Sequence, residues 1–271
     1  MKHTQPDLAH PDSATNLFEL AARAWQMHRK YAPSRCVVAP SCPVLYFGDR
    51  KAYLASPVRI LTVALNPSLR EFPEGDPWLR FRGGELLDPL TRPTDQAAYL
   101  AALDAYFEQE PYMGWFGPAF GEVLAGMDAG YRSSDRQPNR VLHTDLCSPL
   151  ATDPTWKGLE REMGPDAFPR FQEEGKTLWH DLVEALRPDV LLVSLAEGYL
   201  RDLRFANGDG WPVWQELCNG RAQDPYLVRK TELRLTGGHR CLAVWGRGRN
   251  RPFAIRAAEK RALGRSIQAV L

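Results

Sequence analysis

The sequence predicts an α/β fold, a parallel sheet of four strands with helices on both faces, built as a single domain over residues 1–271. Three observations lead there. Four short runs, Val58 to Leu65, Arg140 to Leu146, Asp189 to Leu195 and Cys241 to Trp245, have the near-continuous aliphatic character of strands covered on both sides. Segments of helical periodicity alternate with them, and alternation of this kind implies parallel strands joined by right-handed crossovers. Finally, 271 residues with 44% hydrophobic and 25% charged composition can bury a large core, which excludes a disordered or fibrous chain.

In chain order, residues 1 to 13 are polar and proline-bearing and read as a tail. From Asn16 to Lys30 the apolar positions Leu17, Leu20, Ala21, Ala24 and Trp25 fall on one helical face, and Tyr31 to Pro43 reads as loop. After the first strand, Asp95 to Gln109 and Ala119 to Met127 read as helices. Arg170 to Leu186, with Phe171, Leu178, Leu182 and Leu186 along one side, leads into the third strand. A last helix is expected beyond the fourth strand, with Pro252 in its first turn.

Composition narrows the setting. The longest apolar runs, such as Ile60 to Leu65, are far shorter than the roughly 18 residues of a membrane span, so no membrane association is expected. Met1 to Asp12 lacks a basic segment followed by an apolar stretch, and the five widely spaced cysteines suit reduced thiols; both point to the cytoplasm. The overall charge of +1 hides an asymmetry: Leu227 to Leu271 holds eleven Lys or Arg against Glu232 and Glu259, a net +9. Such a segment is either a solvated surface or a polyanion-binding one.

Ligands of open parallel sheets bind beyond the carboxyl ends of the strands. After the first run stands Ala64-Leu65-Asn66-Pro67-Ser68-Leu69, in which Pro67 keeps Asn66 extended and able to aim its amide out of the sheet edge, although a plain Asn-Pro turn reads the same way. The second run ends His143-Thr144-Asp145-Leu146-Cys147-Ser148-Pro149. Strand alternation puts His143 and Asp145 on one face, as a site pair or as a hydrogen-bonded structural pair. The fourth is followed by Gly246-Arg247-Gly248-Arg249-Asn250-Arg251-Pro252, where glycines admit a ligand close to the backbone and Arg247, Arg249 and Arg251 suit phosphate oxygens.

Together these segments resemble the uracil-DNA glycosylase superfamily, over about Val58 to Phe253. Ala64-Leu65-Asn66-Pro67-Ser68 is similar to the Gly-x-Asn-Pro-Gly loop of the mismatch-specific and thymine-DNA glycosylases, and the resemblance implies that Asn66 positions the attacking water. The stretch His143 to Pro149 is similar to the Asn-x-x-x-Cys-x-Pro strand of the thermophilic branch, with His143 in the place of the base-recognising asparagine. The third family motif, a His-Pro-Ser loop, is replaced by Gly246-Arg247-Gly248-Arg249. The resemblance implies a three-layer α/β/α fold around a four-stranded parallel sheet, DNA as partner, and hydrolysis of an N-glycosidic bond.

Departures from the family bear on substrate. Ser68 stands where the uracil-selective branch has a tyrosine that excludes C5 substituents, so the pocket is expected to accept them. Asp145 could accept from the exocyclic amine of cytosine, a contact uracil cannot offer. The expected reaction is therefore excision of a damaged or modified base, best a C5-modified cytosine as in modified phage DNA, in repair or phage defence. Asn66 is the expected water-positioning residue, Asp145 the reserve general base, and His143 a donor to the departing base. Phe81 or Phe72 is expected to stack on the flipped nucleotide. A catalytically silent nucleic-acid-binding protein, a uracil-removing repair enzyme and a hydrolase of free nucleosides remain alternatives. No cofactor, metal or obligate protein partner is expected. Cys147 matches one iron–sulfur ligand position of the thermophilic branch, but Cys36 and Cys42 are separated by five residues and no cysteine follows Cys147 until Cys218.

Overall fold

The computed structural model describes residues 13–83, 95–153, 155–205, 210–217, 225–246 and 253–271. Helix α1 spans Ser13–Tyr31, with the predicted apolar stripe buried. It takes in Ser13, one residue of the expected tail, whose other residues lie outside the described ones. Strand β1 (Ile60–Ala64) and strand β3 (Asn139–Asp145) are the first two predicted runs, and β4 (Val190–Val193) and β7 (Arg240–Gly246) the last two. They lie side by side and parallel in the order β3-β1-β4-β7, with Thr62 opposite His143 and Val193 opposite Trp245.

The sheet is larger than expected. It has seven strands, because a two-residue strand β2 (Ala129–Gly130) extends the β3 edge in parallel while β6 (Tyr226–Arg234) and β5 (Val213–Leu217) extend the β7 edge antiparallel. The sheet is therefore mixed. The β6–β7 reversal passes through Gly237 and Gly238 at φ +73° and +78°, a left-handed turn that glycine enters without steric cost. In β6 buried Val228, Thr231 and Leu233 interrupt the charged residues, so part of the +9 segment is a strand paired on both sides, whose charged side chains alternate with buried ones. Among the described residues its cations are largely engaged. Arg234 and Arg240 pair with Glu232, Arg229 with Glu197 at 3.4 Å and Arg261 with Glu122 at 2.7 Å, while Lys260 is buried on main-chain carbonyls. Arg247, Arg249 and Arg251, the part of the segment expected at the cleft, lie outside the described residues.

Short helix α2 (Arg50–Leu54) precedes β1, and α3 (Asp95–Asp104) tightens into a 3₁₀ turn at Tyr106–Glu108 where a longer helix was expected. The helix expected near Ala119 is a composite. Helix α4 (Met113–Phe116), a π turn (Gly117–Gly121) and α5 (Glu122–Ala125) follow without a gap. Helix α6 runs Trp156–Leu186, broken at Gly164, and begins well before the expected Arg170. Helix α7 (Ala257–Gln268) starts after N-cap Arg256, later than a start at Pro252.

Layering follows from strand alternation. On β3, Thr144 accepts a hydrogen bond from Trp179 Nε1 of α6 at 3.0 Å, whereas neighbouring His143 packs on Trp115, Phe116 and Phe120 of the α4–π segment. Thus α6, with α1 against it, covers one face and α4, α5 and α7 the other. The crossing of α5 and α7 is so close that a Cβ on Gly264 would stand 2.1 Å from Val123 O. Among the described residues no helix is long and apolar enough to cross a membrane.

Candidate functional site

A cleft of about 550 Å³ opens at the carboxyl ends of β1, β3 and β4, where the topology places a ligand site. Asn66, Ser68, His143 and Asp145, from two separated sequence segments, all line it. Phe81 does not. It is fully buried, 5.3 Å from Phe72 in a near-parallel stack and packed on Phe47 and Tyr106, so it belongs to the aromatic core behind the cleft. Phe72 is likewise buried there, so neither ring is placed to stack on a ligand in the cleft. Arg247, Arg249 and Arg251 lie outside the described residues; β7 ends at Gly246, on the same sheet edge as the cleft.

The end of β1 is held open by main-chain bonds. Leu146 N donates to Ala64 O and Cys147 N to Leu65 O, both at 2.8 Å, which carries the β1–β3 ladder past the strands and delivers Asn66 at the rim. The Asn66 amide nitrogen donates to Pro67 O at 2.9 Å and to Thr152 Oγ1 at 3.0 Å. Because a carbonyl can only accept, the atom facing Pro67 O must be nitrogen, and both its hydrogens are then committed. Oδ1 remains as an acceptor. Ser68 is exposed at the rim, and its Oγ accepts from Arg70 N at 3.2 Å.

His143 is fixed from below. Its Nδ1 lies 2.9 Å from Thr62 Oγ1, which is in turn 2.8 Å from Tyr131 OH, so a buried relay sets the ring and leaves Nε2 toward the cleft. Rings of Trp115 and Phe116 meet it edge-on at 5.1 and 5.0 Å. The π turn adds a residue to the helical run, a distortion common at functional sites, and lets Phe120 reach the same imidazole. Lys260 Nζ donates to Pro118 O and Ala119 O, which supports that turn.

Asp145 has the most exceptional environment. Its side chain is 2% exposed, yet neither carboxylate oxygen has a hydrogen-bond partner; His143 Nε2 approaches Oδ1 only to 3.6 Å. An ionised group buried without donors is costly, and such groups are usually satisfied. Here both acceptors border a cleft that a ligand can enter.

Several lining residues carry no signal in the sequence. Glu71 returns to the cleft from the 3₁₀ turn Leu69–Glu71. Burial pushes its carboxyl up to about 8; Tyr106 and Arg80 pull it down and Asp145 adds to the rise. Trp156 Nε1 donates to Tyr199 OH at 2.9 Å and forms a second aromatic wall, with Lys157 beside it. Tyr112 bonds Arg70 at 2.6 Å at the rim. Cys147 is buried, and the same burial pushes its thiol up to about 12, so it serves packing. Among the described residues no cluster of three or more His, Cys, Asp and Glu side chains is placed to hold a metal ion.

No protein-family model and no curated protein matches the sequence. Functional assignment therefore rests on the cleft. Flat aromatic walls, two buried carboxyl groups and an asparagine with a free carbonyl suit a planar heterocycle that brings its own hydrogen-bond donors.

Proposed function

We propose that this chain is a monofunctional DNA glycosylase of the uracil-DNA glycosylase type, which flips a C5-modified cytosine into the cleft and hydrolyses its N-glycosidic bond. One observation carries the reading: the two bare oxygens of Asp145 inside an aromatic slot. The exocyclic amine of cytosine satisfies one of them, whereas uracil would oppose it with a carbonyl. The wide cleft and the small Ser68 support a pocket that tolerates bulk at C5.

In this reading Trp115 and Phe116 border the flipped base, and Asn66 Oδ1 accepts a hydrogen of the water that attacks C1′ of an oxocarbenium-like sugar. The second Asp145 oxygen receives the proton which that water releases, and His143 Nε2 steadies charge on the departing base. DNA is the partner. Arg247, Arg249 and Arg251 are assigned to phosphate on sequence grounds alone, and each true contact contributes about 0.9 to the slope of log affinity against log salt on duplex DNA.

The test is a set of duplexes that each hold one C5-substituted cytosine, plain cytosine, uracil or thymine, incubated with the protein and then heated in alkali to cleave abasic sites. C5-substituted cytosine should be removed faster than uracil, and Asn66→Ala should lose most turnover with DNA affinity retained. Absence of abasic sites on every duplex, or removal of uracil alone, would overturn the proposal.

A further inference from the structure

We infer that Glu71 is the general acid of this site, the group that hands a proton to the base as it leaves. The inference rests on the glycosylase reading and adds a catalytic group to it. Glu71 is 3% exposed and still lines the cleft, from a 3₁₀ turn three residues beyond Ser68. The titratable and charged groups that face it are Tyr106, Arg80 and Asp145.

Hydrogen-bond directions fix where its proton sits. Tyr112 N donates to Tyr106 OH at 3.0 Å, and the single Tyr106 proton then goes to Glu71 Oε2. Arg80 Nε stands 4.0 Å from that same oxygen, too far for a hydrogen bond. Oε2 is therefore an acceptor, and a neutral Glu71 carries its hydrogen on Oε1. With its carboxyl pushed up to about 8 by burial, Glu71 holds this proton at neutral pH.

The chemistry needs such a donor. When water oxygen bonds to C1′, the C1′–N1 bond breaks and its electron pair enters the ring. Cytosine is a poor anion, and protonation at its O2–N3 edge lets it depart neutral. Glu71 Oε1 supplies that proton and becomes a carboxylate, the water's proton passes to Asp145, and solvent restores both groups. Two carboxyl groups in one cleft thus divide the labour, Glu71 giving a proton to the base and Asp145 taking one from the water.

A carboxyl kept only to accept from Tyr106 would be served equally by glutamine, which makes Glu71→Gln the deciding variant. Single-turnover excision of a C5-substituted cytosine should fall by roughly 10²–10⁴-fold, with DNA affinity unchanged. The loss should shrink for 5-fluorocytosine, whose withdrawing fluorine helps the ring to leave. The parent rate should decline as pH rises above about 8, and Glu71→Gln should lack this limb. Tyr106→Phe removes a hydrogen bond that lowers Glu71 and should move the limb to higher pH. An active parent whose Glu71→Gln variant keeps the rate and the limb would overturn the acid role and spare the glycosylase reading. A parent inert on every duplex would overturn both.

Discussion

Asn66 at the end of β1 donates its side-chain amide to Thr152 Oγ1 at 3.0 Å, across 86 residues of sequence. Ser68 also bridges to Thr152, so the first-strand loop is stitched to the loop after β3 at two points. An amide held by both hydrogens cannot turn, and its carbonyl stays aimed at one place. Thr152→Val removes the acceptor while preserving shape. A net hydrogen bond is worth about 0.5–1.5 kcal/mol, so excision should slow by roughly 2–13-fold, less than in Asn66→Ala, with DNA affinity unchanged. An unchanged single-turnover rate would show that this tie does not position Asn66.

The same Glu71 that serves as acid should tax stability. Its folded value is about 8, against 4.5 for the ordinary carboxyl, so between these pH values the folded chain holds a proton that the unfolded chain releases. Stability then falls with rising pH: its contribution is full below about 4.5 and lost as pH climbs through about 8. Thermal unfolding of Glu71→Gln and parent should coincide best near pH 4.5, and the variant should gain progressively up to about pH 8. A parallel pair of curves would place Glu71 elsewhere on the titration scale.

The four parallel strands were legible because each is a short run of aliphatic residues buried on both sides, and the rule that ligands sit beyond their carboxyl ends located Asn66, His143 and Asp145 together. The β5–β6 hairpin was not, because its charges dominate composition and hide the buried Val228 and Leu233. Glu71 was illegible for a different reason. Only a tertiary fold brings it against Tyr106, which lies 35 residues away, and nothing in Leu69-Arg70-Glu71-Phe72 distinguishes it from a surface carboxylate. Phe81 misled in the opposite way: an aromatic residue in a loop near the motif suits stacking, but here it fills the core.

Packing of α5 on α7 depends on two glycines. A Cβ on Gly264 would meet Val123 O at 2.1 Å and one on Gly126 would meet Arg261 O at 2.2 Å, both main-chain atoms that cannot turn aside. Gly264→Ala should push the helices apart and destabilise by about 1–3 kcal/mol, the usual cost of overpacking, read as a lower midpoint in urea. Since α7 supplies Lys260 to the π turn beneath Trp115, excision should fall as well. A wild-type midpoint would mean that the crossing has slack.

Asp145 gives the last prediction, because a carboxylate kept without partners sets stability against function. In the free protein both its oxygens are buried and unpaired, which costs about 1–3 kcal/mol or more for a charged group. Asp145→Asn removes the charge and brings its own donor, so the midpoint of thermal unfolding should rise. Its effect on excision should depend on the base. The amine of a C5-substituted cytosine loses a charged acceptor, whereas the carbonyl of uracil gains an amide hydrogen, so the ratio of the two rates should move toward uracil. Ser68→Tyr should act on the other edge of the ring, closing the C5 side and reducing the substituted cytosine more than the plain one. If Asp145 only orients His143 across their 3.6 Å separation, every base would slow alike and the ratio would hold. Single-turnover rates on matched cytosine and uracil duplexes, with the two unfolding curves, decide between these outcomes.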